Sequence, residues 1–145
     1  MNLAFELESI TRLPGVRQAA IGDDAGRLLD CAGREEPPTA AILVLAHATL
    51  AAASELGRRS GSGDCLEVVQ QHEGGCIYLH ALPHQRVLLV RCQDEAGIAT
   101  VRAACRGLSA KVHLQTEVEA TMPRAVVSST RIDDLSSAFL AEPAW

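Results

Sequence analysis

Residues 65–92 read CLEVVQQHEGGCIYLHALPHQRVLLVRC, and the placing of apolar side chains in this stretch sets the fold class. Three apolar runs, Cys65 to His72, Cys76 to Leu82 and Arg86 to Cys92, are separated by Glu-Gly-Gly and Pro-His-Gln. Both connections are rich in turn formers, so the runs predict consecutive hairpins, a meander. In the last run Val87 and Leu89 occupy one alternating set and Leu88 and Val90 the other. A strand apolar on both sides must be covered on both sides, which places it inside a sheet.

The residues before the meander supply further elements. Leu3, Leu7 and Ile10 follow a helical stripe, with Asn2 as its cap and Pro14-Gly15 as its stop. Val16 to Gly22 and Arg27 to Cys31 read as two strands joined by Asp23-Asp-Ala-Gly26, whose glycine tolerates positive φ. After the polar connection from Gly33 to Pro38, Thr39 suits the cap of a long helix over Ala40–Leu56. That helix is apolar nearly all the way round. Ile42, Leu45, Thr49 and Leu56 lie near one face, and Leu43, His47 and Leu50 near another. A sheet covers only one such face, so a second helix or another subunit is expected on the other. Gly57 to Gly63 reads as a loop.

Beyond the meander, Ile98, Val101, Cys105, Leu108 and Val112 form the clearest helical stripe in the chain. This gives one domain over residues 1–114 and a C-terminal tail over 115–145. The tail reads as partly disordered or as a docking segment, in which Asp133 to Leu140 would form an amphipathic turn or two with Leu135, Phe139 and Leu140 as anchors. A chain of 145 residues suits a single core, burying roughly 70% of the surface its unfolded form exposes.

Composition narrows the function. Asp and Glu number 18 against 13 Lys and Arg, for a net charge of −5, and only Phe5, Tyr78, Phe139 and Trp145 are aromatic. Single-stranded nucleic acid is bound by basic grooves with aromatic platforms, so nucleic acid is not an expected partner. The opening residues carry acids and no basic region before an apolar core, and no apolar run is read as long enough to span a membrane; the expected compartment is the cytoplasm. The cysteines, Cys31, Cys65, Cys76, Cys92 and Cys105, are odd in number and contain no C-x-x-C, so each is read as a small buried hydrophobe.

No constellation carries chemistry. Asp23-Asp24 suits a turn better than a carboxylate pair. The five histidines include no H-x-x-x-H on a helix and no H-E-x-x-H motif. A three-residue Glu-Gly-Gly loop would set His72 opposite Cys76, and two ligands do not make a metal site. Ser54, Ser60 and Ser62 lack a nucleophile elbow, and Gly61-Ser-Gly63 is too short to cradle phosphate. No enzyme activity, cofactor or metal is therefore expected.

The order helix, two strands, long helix, three strands, helix resembles the Roadblock / dynein light-chain domain family. The carriers are Leu13-Pro-Gly-Val16, Asp23-Asp-Ala-Gly26-Arg-Leu-Leu29, the Ala-rich helix from Thr39, and Leu66 to Val90, within a likeness covering about residues 3–113. Gln18 departs from it, standing where a small residue is common. The resemblance implies an α+β, roadblock/profilin-like fold: a five-stranded, mostly antiparallel sheet in order 2-1-5-4-3, with the long helix on one face and the other two helices on the opposite face. It also implies a homodimer formed through the third strands and long helices, which here points to Leu66, Val68 and Gln70 together with Leu43, His47, Leu50 and Ser54. The function implied is that of a non-catalytic adaptor or regulator of a Ras-like small GTPase, or a scaffold in a larger assembly. No arginine can be named as a catalytic finger. The alternative is a small-molecule sensing domain, which needs an internal pocket with convergent polar groups.

Overall fold

Asn2 caps the first helix, α1 (Leu3–Thr11), its side chain accepting the Phe5 N–H at 3.3 Å. The computed structural model describes residues 2–121, with side chains as far as residue 118, so Asp133–Leu140 and its anchors lie outside the described residues. The chain divides into two compact units, Met1–Gln115 and Thr116–Trp145, and the elements below belong to the first except for the end of the last helix.

Strands β1 (Val16–Gly22) and β2 (Leu28–Gly33) form the first hairpin. Asp23 holds its turn: one carboxylate oxygen accepts the N–H groups of Ala25 and Arg27 at 3.0 and 2.9 Å. Arg27 is thereby kept in the turn, and β2 begins one residue later than the sequence pattern suggests. Between β2 and the long helix, buried Gln18 donates to the Glu36 carbonyl at 2.5 Å. A small residue at this position could not latch that connection.

The long helix, α2 (Ala40–Arg59), starts where Thr39 accepts the Ile42 N–H at 3.3 Å. It runs past Leu56, through a glycine that reads in sequence as the start of a loop. The loop folds back onto the helix end, with Ser62 and Gly63 both donating to the Gly57 carbonyl. A Cβ at Gly57 would stand 2.1 Å from the Gly63 oxygen, so this glycine serves close approach and not helix termination.

Strands β3 (Glu67–His72), β4 (Gly75–Leu82) and β5 (Arg86–Cys92) form the meander. The five strands are antiparallel in the order β2-β1-β5-β4-β3, as the resemblance implied. One register differs from expectation. His72 stands opposite Gly75 and Gln71 opposite Cys76, so the β3–β4 turn holds two residues and His72 does not face Cys76. The last helix, α3 (Ile98–Thr121), continues past Gln115, where the sequence suggests a tail. No glycine or proline follows Gly107 until Pro123, so nothing in the residue types stops it earlier.

Each face of the sheet has its own core. On one face Leu7 and Ile10 of α1 and Val101, Cys105 and Leu108 of α3 pack with Ile21, Tyr78, Leu88 and Val90. On the other, Ala46 and Leu50 of α2 pack with Leu79, Val87 and Leu89. Residues 87–90 are all buried, which is why both alternating sets of β5 are apolar.

Two sequence expectations change here. Leu43, placed at a partner surface, is fully buried, and Leu50 is 6% exposed; both belong to the sheet-facing stripe of α2 with Ala46. Gly22 makes the room, since a Cβ there would lie 2.7 Å from Leu43 Cδ2. Moreover α2 is long and apolar enough to cross a bilayer by length and composition, contrary to the reading that no run reaches that length. Its alanines raise its hydropathy, yet its buried stripe lies on the sheet as part of the fold.

Leu43→Ala should lower unfolding free energy by about 2–5 kcal/mol in urea titration, the cost of an unfilled core site. A loss under about 0.5 kcal/mol, typical of surface positions, would contradict this placement.

Candidate functional site

With Leu43, Ala46 and Leu50 turned to the sheet, an opposite stripe of α2 faces outward. Ile42, Leu45, Thr49, Ala52 and Leu56 repeat at alternating spacings of three and four, the a/d pattern by which one helix seats against another. Among them Leu45 is 65% and Leu56 69% exposed. Val44 and several alanines widen this apolar face.

The face borders the outer edge of the sheet. The Leu66 carbonyl accepts the Ala81 N–H, so the alternation of an antiparallel ladder turns the backbone groups of Glu67, Val69 and Gln71 outward. An edge of this kind is a template for another strand. Leu66, Val68 and Gln70 share the α2 side of β3, and Val68 packs against the Leu50 cluster while Leu66 is 72% exposed.

The structure thus splits the seven residues named for self-association. Leu66, Val68 and Gln70 lie along the edge strand. His47 is half-buried, its Nε2 lying 3.1 Å from Gln85 Oε1 in the β4–β5 turn, and Ser54 accepts the Cys65 N–H at 2.9 Å. Leu43 and Leu50 leave the surface. Periodicity shows two apolar stripes on α2 but cannot say which one meets the sheet.

A polar cluster on the opposite face forms no motif in the sequence. Tyr78 is completely buried, and its hydroxyl donates to Glu67 Oε2. The other carboxylate oxygen of Glu67 lies 2.9 Å from both Arg102 Nε and Arg106 Nη2 on α3. Tyr78 Oη is also 3.0 Å from His80 Nδ1. Since the only phenolic proton goes to Glu67, the imidazole must carry its proton on Nδ1 and donate to Tyr78, leaving Nε2 as an acceptor. Two signals could have found the cluster: Glu67 takes the inward alternation of β3, and Arg102 and Arg106 are four apart on one helix face.

The cluster's protonation follows from its surroundings. Burial raises the Glu67 pKa, but the Tyr78 hydroxyl and the Arg106 and Arg102 guanidiniums outweigh it and hold the carboxyl below its ordinary value. Burial pushes Tyr78 strongly upward, reinforced by its bond to Glu67. His80 is pushed down by burial and by Arg106 and His113, against the pull of Glu67. At neutral pH the His80–Glu67 contact at 3.7 Å is therefore not an ion pair.

Elsewhere the groups suit structure better than catalysis. The bond from the Arg27 N–H holds the Asp23 carboxyl low and occupied in its turn. Burial pushes Cys92 up to about 11 and Cys105 up to about 12, so neither is a thiolate at neutral pH. Cys76, Cys92 and Cys105 are buried, as read from the sequence, whereas Cys31 and Cys65 are half-buried. Among the described residues no group of three or more His, Cys, Asp and Glu side chains could hold a metal ion.

Residues 4–91, α1 through most of β5, match the family model of the Roadblock/LC7 domain. Among solved structures, MglB of Myxococcus xanthus is 17% identical with a TM-score of 0.70, over 80% of this chain and 95% of that one. A Roadblock/LC7 domain from Streptomyces avermitilis is 18% identical with a TM-score of 0.70, over 81% and 99%. The gliding protein MglB from Thermus thermophilus is 23% identical with a TM-score of 0.63, over 72% and 81%. A search of curated proteins returned no match.

The cluster makes stability depend on pH. Below the ordinary His80 value of 6.5 the unfolded chain takes up a proton that the folded chain resists, so stability falls as pH falls. Glu67 adds stability that is present above its ordinary 4.5 and lost as pH drops through its lower folded value. Thermal midpoints should therefore decline from pH 7.5 to 5.5, and decline less in His80→Phe. An equal decline in both proteins would exclude His80 as the source.

Proposed function

Because the chain belongs to the Roadblock/LC7 domain family, we propose that it is a non-catalytic, homodimeric adaptor or regulator of a Ras-like small GTPase. The observation that carries the homodimer is the continuity of the outward a/d stripe of α2 with the open edge of β3. A two-fold axis beside that edge would pair β3 with its copy and α2 with its copy at once. The backbone groups of Glu67, Val69 and Gln71 gain partners, and Leu45, Leu56 and Leu66 leave water. Neither gain is available to one chain alone. A solved relative, 21% identical, bears the description MglB with tetrameric arrangement, which accords with self-association in this fold.

The GTPase partner rests on family membership and on the absence of a recognisable catalytic constellation among the described residues. A regulator of this kind acts by holding the partner's own switch loops in one arrangement, and needs no reactive side chain of its own. The large surface of a two-fold dimer suits that task.

Light scattering should give twice the 15.4 kDa of the chain. Leu45→Lys and Leu66→Lys, both at exposed sites, should return it to a folded monomer. A dimer that survives both substitutions would rule out this interface. For the partner, the immobilised chain should enrich a small GTPase from its own organism's lysate in only one of two lanes, GDP or a non-hydrolysable GTP analogue. Absence from both lanes would remove the GTPase reading and leave the dimer standing.

A further inference from the structure

A cavity of about 590 Å³ opens between the β3–β4 edge and α3, away from the α2 face. Its volume is in the range of small-ligand sites. Two of its lining side chains, His80 at 7% and Ser109 at 6% exposure, are buried polar groups. Among the described residues nothing hydrogen-bonds the Ser109 hydroxyl or His80 Nε2. Neither atom is sealed from solvent, so each is presented at the cavity wall to water or a ligand.

Charge and shape restrict that ligand. Arg102 and Arg106 share the single carboxylate of Glu67, leaving one guanidinium charge in excess in a chain whose net charge is −5. Arg102 Nε is buried and, though 2.9 Å from Glu67 Oε1, makes no hydrogen bond. Arg106 lines the cavity beside Ser109, Ala110 supplies apolar wall, and the strand edge at Leu66 and Ala81 borders it. One surplus cation matches a monoanion; a phosphate dianion would bring a second charge without a counterpart, and inorganic phosphate would leave the apolar wall uncovered. His80, with its Nδ1 proton committed to Tyr78, presents an acceptor and so requires a donor on the ligand.

We propose that this cavity binds a small organic monocarboxylate with an apolar body and one hydroxyl or N–H group. The carboxylate takes the Arg106 guanidinium and the Ser109 hydroxyl, the hydroxyl or N–H donates to His80 Nε2, and the body lies against Ala110 and the β3–β4 edge at Leu66 and Ala81. A guanidinium and a carboxylate form a charge-assisted pair, stronger than a neutral hydrogen bond. The family model ends at residue 91 and so does not include Arg106 and Ser109. The site does not rest on the GTPase reading.

The full-length chain is titrated calorimetrically with three probes: lactate, 3-hydroxyoctanoate and N-acetyl-leucine. Saturable binding of at least one is expected below about 10 mM, weakened about tenfold or more when its carboxylate is replaced by the amide. Arg106→Gln and Ser109→Ala should each weaken it by about fivefold or more, while light scattering shows the same assembly as the parent chain. No saturable binding by any probe overturns the proposal. So does equal binding of acid and amide, equal binding of inorganic phosphate, or affinity unchanged in both variants.

Discussion

The structure depends on the burial of β5 on both faces. Val87 to Val90 are shielded above and below, and no single helical layer can do that for one strand. One face therefore takes α1 and α3, and the other takes α2 alone. The single-helix side sets up the rest. A helix covers a sheet with one stripe, and α2 uses Leu43, Ala46 and Leu50 for it, which leaves Ile42, Leu45 and Leu56 in water. The exposed apolar surface follows from having one helix where the sheet has width for more.

The two-helix side is bound together differently. Its apolar core is continuous from Leu7 to Val112, but the outermost strand is reached by a charge network and not by apolar packing alone. Glu67 draws two guanidiniums of α3 onto β3, with the Tyr78 hydroxyl completing its coordination. Removing water from a carboxylate is costly, and only a site with several donors offsets it. The same strand carries the open edge beside α2. The edge is therefore held from one face by ionic contacts and presented for association from the other, so the proposed dimer and the cavity under α3 share β3 and meet at Leu66 and Glu67.

Legibility in the sequence varies with the range of the interaction. Asn2 and Thr39 act as the caps their residue types suggest, and β5 spans the expected residues, because caps and alternation are settled by near neighbours. Expectation and structure part where a further contact intervenes. Arg27 reads as strand, but Asp23 holds it in the turn; Gly57 reads as loop, but the Gly63 backbone approaches it as part of a helix end. The shift by one residue in the β3–β4 turn is enough to dissolve the expected His72–Cys76 pair, since pairing partners change with turn length.

The sequence by itself determined the elements, their caps, the central position of the fifth strand and the family, because these rest on local geometry and on hydrophobic period. It also showed that α2 is apolar on two sides. Only the tertiary structure decided which side meets the sheet, through the space left by Gly22 for Leu43. It alone brought Glu67, Tyr78 and His80 of the meander to Arg102, Arg106 and Ser109 of α3. Residues so far apart in the chain meet through the pleat of the sheet and the docking angle of a helix, and neither is written in any local run of residues.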